Sequence, residues 1–264
     1  MSTQLAFSLF ELAFLKATLE QSTAILTLEE TNICDDSDQG HDNQPAATLG
    51  SNNADTIEGG PGLDNLVGLN GDDTLIGLQG KDWLYGDNGM DLLDGGEGRD
   101  FLYGGNGDDE LRGGKGRDDL LGENGNDLLI GGCGPDLMDG GRGNDILFGG
   151  NASDIFTGGP GSDVFILALP GGNGGHGDNK NMESLIIPLV HEDEEGDVIT
   201  DFRQGVDYLA LSGSLTFSQL LFEGDRIYVG MDKETGSDEH DDQGRLLAKL
   251  TGFDTTKLSA SDFI

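Results

Sequence analysis

The sequence of 264 residues predicts an all-β fold, a stacked solenoid, and three observations carry that prediction. Thirteen nine-residue units follow one another without a gap from Gly50 to Ile166. Every unit has Gly at position 1 and Asp at position 6, and every unit has an apolar residue at position 8. One aliphatic per short unit cannot form a core alone, so such units must stack and bury their apolar residues against one another.

Composition agrees with this reading and excludes others. The net charge is −36, which rules against nucleic acid or an anionic membrane as an electrostatic partner. The repeat block alone holds 23 acidic and 6 basic residues, so a form that stacks them needs counter-charge, and divalent cations are the obvious source. Hydrophobic residues make up 35% of the chain, below the range of an ordinary globular domain. Thirty-two of the 46 glycines fall inside the repeats, where they mark turns; a collagen helix is excluded because the period is nine rather than three.

The elements follow in chain order. Residues 1–30 contain QLAFSLFELAFLKATL at 4–19, read as one amphipathic helix with a stripe through Leu5, Leu9, Leu12 and Leu15. That helix either caps the solenoid or binds a membrane or a partner. Glu11 and Lys16 interrupt the run, and no basic leader or small-residue cleavage site accompanies it, so it reads as neither a membrane span nor a cleaved signal peptide. Residues 31–49 are polar and acidic, contain Pro45, and read as a linker. The two cysteines, Cys34 and Cys133, make no disulfide framework.

Within residues 50–166 the unit GGRGNDILF at 140–148 shows how a repeat works. Its first six residues make a turn and its last three a short strand. Gly140, Gly141 and Gly143 allow the tight bend, and Asp145 supplies a carboxylate at its end. Leu147 points inward while Ile146 and Phe148 point outward, because side chains alternate along a strand. Calcium takes about six to eight oxygen ligands at ~2.3–2.6 Å in flexible geometry, more than one such turn can offer. Two stacked turns can reach that number by joining backbone carbonyls to Asp carboxylates. Magnesium is too strict in geometry and zinc would want His or Cys, so the cofactor expected is Ca²⁺, in several copies along both edges of a stack with two units per coil.

Residues 167–196 read as a flexible acidic insertion. His191-Glu192 begins no zinc motif, because Glu195 stands where HExxH needs its second His. Residues 197–264 read as a small β-cap, with strands expected in VITDF, YLALS, RIYV and RLLAKL.

The units GGEGRDFLY, GGNGDDELR, GGKGRDDLL and GGRGNDILF make the chain resemble the RTX, or hemolysin-type calcium-binding, nonapeptide-repeat family. The resemblance is strong over 50–166 and weaker through GDVITDFRQGVDYLALS at 196–212, which looks like the segment that closes such rolls. It implies a right-handed parallel β-roll, export guided by an uncleaved C-terminal signal, and an extracellular location. The ending SASDFI is similar to such signals. The metal ligands it implies are Asp64, Asp73, Asp82, Asp91, Asp100, Asp109, Asp118, Asp127, Asp136, Asp145 and Asp163, with Asp55 and Asp154 in poorer turns. Turn glycines of the same sites are Gly95, Gly98, Gly104, Gly107, Gly113, Gly116, Gly140 and Gly143. Asp55 is weakened by Ser51 and Asn53 at glycine positions, Asp154 by Ala152. Ala210 stands where many relatives carry an acid, which argues against a calcium site there.

Even-numbered repeats should share one sheet, which puts Trp83 and Tyr85 beside Phe101 and Tyr103 on its outer face. That patch is either packed under another part of the chain or a platform for a polysaccharide or a partner protein. On the other sheet Leu128, Ile130, Ile146, Phe148, Val164 and Ile166 should form an aliphatic strip under the C-terminal cap. No HExxH, GxSxG, P-loop or CxxC occurs, so no catalytic set is expected. The function expected is that of a secreted calcium-binding protein with a structural or interaction role; the alternative is an enzyme or carbohydrate-binding module acting on acidic polysaccharide.

Overall fold

In each repeat the chain runs straight over positions 7 to 9 and often into the next unit, as in the strand Trp83–Asn88. The computed structural model describes residues 44–168, 196–213, 215–229 and 245–264. The helix expected over 4–19, the first part of the linker and the acidic insertion from 169 lie outside them. Among the described residues there is no α-helix, only strands and short 3₁₀ turns.

Successive units alternate between two sheets, of eleven and eight strands among the described residues. Even-numbered units build the larger sheet and odd-numbered units the smaller. Pairing is parallel and the register is that of two units per coil: Trp83 lies beside Phe101, and Phe101 beside Asp119. The repeat block is therefore the expected β-roll. A one-residue slip in register would flip every side chain to the other face, so the fixed period keeps each column of equivalent residues on one face.

The interior is two facing columns of position-8 side chains. Leu66, Leu84, Leu102, Leu120, Met138 and Phe156 come from one sheet, and Leu75, Leu93, Leu111, Leu129, Leu147 and Phe165 from the other; none is more than 1% exposed. Burying each leucine stabilises by roughly 1.5–3 kcal/mol, yet each unit contributes only one. So thin a core explains the low hydrophobic content. Outside, an asparagine ladder runs along one edge: the Asn106 Nδ2 donates to Asn88 Oδ1 at 3.0 Å, and Asn124 Nδ2 to Asn106 Oδ1 at 3.2 Å.

The linker ends earlier than expected. Thr48 and Leu49 pair in parallel with Leu66 and Val67, so the stack begins before Gly50 and the edge of the first even strand is not left bare. At the other end the repeat continues past the insertion. The strand Asp197–Ile199 pairs with Ile155–Thr157, and Tyr208–Leu211 pairs with Val164–Leu167, both parallel. The strands expected in VITDF, YLALS, RIYV and RLLAKL are all present. One that was not expected, Leu220–Glu223, completes an antiparallel meander with Arg226–Val229 and Arg245–Leu250.

The core widens toward this cap. Phe165 lies 6.2 Å from Phe156 and 6.5 Å from Phe202, and Phe202 meets Phe253 edge-on at 5.4 Å, all between ring centroids. The last residues fold into it: the Ile264 N–H donates to the Leu209 carbonyl at 3.0 Å, and Phe263 contacts Phe217. On the smaller sheet Leu128, Ile146 and Val164 form one row and Ile130, Phe148 and Ile166 the next, as expected. Tyr208–Leu211 lengthens this strip rather than covering it, because Tyr208 sits beside Val164 in the same sheet. The triplet Asp207-Tyr208-Leu209 repeats positions 6 to 8 of the units and so adds a strand.

Candidate metal centre

The repeat aspartates form two ladders, one on each edge of the roll. The backbone N–H of each Asp donates to Oδ1 of the Asp one coil further on. The distances are 2.7 Å for Asp73 to Asp91, 2.8 Å for Asp82 to Asp100, and 2.9 Å for Asp136 to Asp154. The Asp carbonyl in turn accepts from the residue after the next Asp, as from Phe101 to Asp82 at 2.9 Å. One carboxylate oxygen thus ties coil to coil with backbone partners.

The other oxygen has none. Oδ2 of Asp73, Asp82, Asp91, Asp100, Asp109, Asp127, Asp136, Asp145 and Asp154 is buried and meets no hydrogen-bond donor. These residues are at most 3% exposed. What faces Oδ2 is a further acceptor. A methyl group on Gly77 would lie 2.6 Å both from Asp82 Oδ2 and from the Gly95 carbonyl of the next coil. The same pairing recurs at Gly86, where Asp91 Oδ2 and the Gly104 carbonyl would lie at 2.5 and 2.6 Å. Acceptors from two coils with no donor between them suit a cation with oxygen ligands. Among the described residues no three acidic, His or Cys side chains gather at one point, so backbone carbonyls must supply much of any ligand set.

The glycines of the expected sites serve two different ends. Gly95, Gly104, Gly113 and Gly140, at position 1, leave room for the carboxylate, since a side chain there would collide with Asp100, Asp109, Asp118 or Asp145. Gly98, Gly107, Gly116 and Gly143, at position 4, have φ between +131° and +135° and stack directly on the carbonyl of the glycine one coil earlier.

Electrostatics make the need for counter-charge explicit. With no cation present, burial pushes the carboxyl of Asp82 up to about 7, Asp100 to about 9 and Asp136 to about 10. Charge on neighbouring Asp118 adds to the rise at Asp100 and Asp136. Burial also raises Asp91 and Asp163 to about 6, Asp109, Asp127 and Asp154 to about 7, and Asp145 to about 8. Each ionised side chain is costly to hold in this place without a positive partner.

The ends of the ladders differ from the middle. Asp55 is partly exposed and its Oδ2 accepts from the Ser51 N–H at 2.6 Å and the Ser51 hydroxyl at 2.8 Å. Asp64 Oδ2 accepts from the Gly60 N–H at 2.7 Å. Asp154 keeps the geometry of the middle sites, but Ala152 in its turn is forced to φ +86°. The irregularity is carried as backbone strain rather than as a displaced carboxylate.

Sequence reasoning missed four residues here. Asp197 and Asp207 occupy position 6 of two further units, one on each edge of the last coil: Asp154 donates to Asp197 Oδ1 and Asp163 to Asp207 Oδ1, each at 3.2 Å. Asp201 accepts from the Gly158 and Gly159 N–H groups at 2.9 and 2.8 Å. Arg203 Nη2 donates to Asp163 Oδ2 at 3.2 Å. The triplets Asp197-Val198-Ile199 and Asp207-Tyr208-Leu209 keep the Asp-x-aliphatic spacing and were the available signal; the position-1 glycine is absent from both, and of the position-4 glycines only Gly205, before Asp207, is kept. Ala210, next to Ile166 on the strand, stands outside the turn.

On the larger sheet the expected aromatic patch is present. Trp83 stacks on Phe101 at 5.6 Å and Tyr85 on Tyr103 at 4.8 Å, each pair within 6° of parallel. Lys81 Nζ lies 5.5 Å from the Trp83 ring and Arg99 Cζ 5.2 Å from that of Phe101. Gln44 Nε2 donates to the Tyr85 hydroxyl at 2.9 Å.

Comparison with known proteins bears on the repeats. The family model described as the RTX calcium-binding nonapeptide repeat (4 copies) matches at 49–84, 67–102, 85–120, 103–137 and 130–165. No curated protein matches the chain. Among solved structures, the AlgE6R3 subunit of the Azotobacter vinelandii mannuronan C5-epimerase aligns at 27% identity, over 60% of this chain and 78% of that one, with a TM-score of 0.21. Extracellular lipase LipA from Serratia marcescens aligns at 15% identity, over 84% of this chain but only 40% of that one, with a TM-score of 0.25. The fold assignment rests on the register and ladders above rather than on these superpositions. Matched in overlapping windows and in register with a ladder of buried aspartates, residues 49–165 are RTX calcium-binding nonapeptide repeats folded as a β-roll.

Proposed function

We propose that the protein is a secreted calcium-binding roll with a structural or interaction role, and that extracellular calcium drives its folding. The observation that carries this reading is the row of buried Oδ2 atoms without donors. A chain of net charge −36 with one core side chain per repeat has too little apolar burial to hold those carboxylates ionised. Extracellular calcium modules bind at about 10⁻⁴–10⁻³ M, so low intracellular calcium would leave the chain unfolded until export. No helix among the described residues is long and apolar enough to cross a membrane. Circular dichroism in calcium and in chelator tests this: β-structure should appear only with calcium, and equal folding in both would overturn the reading.

A second reading rests on the aromatic patch. Two stacked ring pairs on the outer face of the sheet suit an acidic polysaccharide through its sugar faces, which stack on aromatic rings. Retention on an immobilised uronate polymer, lost in Trp83→Ala but not in Leu137→Ala, would favour it. A turnover screen on the same polymers separates a module from an enzyme.

A further inference from the structure

The two Asp ladders end differently, and the difference lies in one side chain. Through the middle of the roll Oδ2 of Asp82, Asp91, Asp100, Asp109, Asp127 and Asp136 faces a glycine carbonyl of the next coil and no donor. At Asp163 the pattern changes. Arg203 Nη2 donates to Asp163 Oδ2 at 3.2 Å, to the Gly161 carbonyl at 2.8 Å and to Asp207 Oδ1 at 2.9 Å. Its Nε and its backbone N–H donate to Asp207 Oδ2 at 3.1 and 2.7 Å. Asp163 and Asp207 are both about 1% exposed, so the guanidinium meets two buried carboxylates from successive coils and a turn carbonyl between them. The guanidinium thus reaches the ladder oxygen, Asp163 Oδ2, whose counterparts at Asp82, Asp91 and Asp100 meet no donor, together with the carboxylate of the next coil.

Among the described residues the other ladder has no such group. It ends at Asp154 and Asp197, where Asp154 Oδ2 is buried without a donor and burial holds the Asp197 carboxyl well above its usual range. The nearby Asp201 turns to the Gly158 and Gly159 N–H groups instead. Among the described residues the last coil therefore carries a built-in cation on one edge and none on the other.

We propose that Arg203 is a tethered cation occupying the place of a calcium ion at the last turn of the Asp163 ladder. The proposal rests on the calcium reading of the repeats. A guanidinium suits the task because its planar fork of donors reaches several oxygens at once, it stays charged at any physiological pH, and it arrives with the chain rather than from solution. Its outer face is 41% exposed, so the plug closes the turn from the solvent side. The last turn on this edge is then closed as soon as the cap docks, whatever the calcium concentration, and the ion row stops one position short of the ladder.

The test is a count of bound calcium by equilibrium dialysis, with calcium alone as the probe, on the full chain and on Arg203→Met and Arg203→Lys. The wild-type protein binds calcium if the family reading holds; no binding at all would remove that reading without addressing Arg203. Given binding, Arg203→Met should take up one more calcium than wild type, and Arg203→Lys the same number as wild type. Amide exchange at Tyr208, whose N–H donates to the Asp163 carbonyl at 2.7 Å, gives the second readout. Its protection at limiting calcium should fall at least tenfold in Arg203→Met and return to the wild-type level when calcium saturates. Equal counts in Arg203→Met and wild type, a gained ion in Arg203→Lys, or an Arg203→Met chain that fails to fold even in saturating calcium would each overturn the proposal.

Discussion

The backbone N–H of Asp82 donates to Oδ1 of Asp100 at 2.8 Å, while Oδ2 of the same Asp100 is buried with no donor. One carboxylate therefore does two jobs with its two oxygens: the first sets the coil spacing and the second awaits positive charge. The two roles can be separated by mutation.

Asp100→Asn keeps an acceptor for the Asp82 N–H and removes the charge. The calcium midpoint for folding should rise about tenfold, equivalent to ~1.4 kcal/mol, and the same change at partly exposed Asp55 should do much less. Calcium titrations followed by circular dichroism check both. Equal shifts at the two positions would contradict the distinction drawn from burial.

Without calcium, acid should take the place of the metal. The carboxyls run from about 6 at Asp91 to about 10 at Asp136 in the folded roll, against the ordinary 3.8 in an open chain. Folded values above unfolded ones mean that this contribution to stability is complete below about pH 4. It is lost as the pH rises through 6 and on toward 10. In chelator, β-structure should therefore increase as pH is lowered from 8 to 4, and saturating calcium should abolish that dependence. A chelated chain with the same spectrum at both values would contradict the assignment.

The strain at Ala152 gives a prediction of opposite sign from most substitutions. At φ +86° glycine is preferred over alanine, so Ala152→Gly should stabilise the calcium-loaded protein by ~0.5–1 kcal/mol after its greater unfolded freedom is counted. Gly98→Ala should cost ~3 kcal/mol, because φ is +135° and the added methyl would strike the Gly80 carbonyl. Thermal unfolding of the two variants in calcium measures the contrast.

Core truncation should be felt along the whole roll but most at the cap. Leu102→Ala removes a fully buried side chain and should cost ~2–5 kcal/mol; Phe165→Ala, which joins the roll to Phe202, should cost at least as much. Denaturation in saturating calcium checks the order.

Much of this was legible because the repeat states one local rule thirteen times. Position 8 forecast the Leu66-to-Phe165 columns, and counting units by twos put Trp83 beside Phe101. The cap was less legible because its coils keep only part of the rule. Asp197 and Asp207 hold the carboxylate position without the position-1 glycine, and the chain between the coils is long enough to hide the period. Arg203 was missed for a different reason: its role depends on Asp163, forty residues earlier, and pairings at that range leave no local pattern. The strand Thr48–Leu49 was taken for linker because it carries neither the Gly nor the Asp of the motif and is held by its neighbour's edge.

The ladder steps by 18 residues through the repeats, then by 43 from Asp154 to Asp197 and by 44 from Asp163 to Asp207, with no loss of register. A stack in which each coil bonds only to the next has no memory of contour length between them. Closing a longer loop costs free energy only logarithmically. The junction after Ala168 is therefore a splice point, where a foreign segment could be housed provided that its ends return to the positions of Ala168 and Gly196. Along this molecule, evolution can lengthen the chain there while the roll remains continuous.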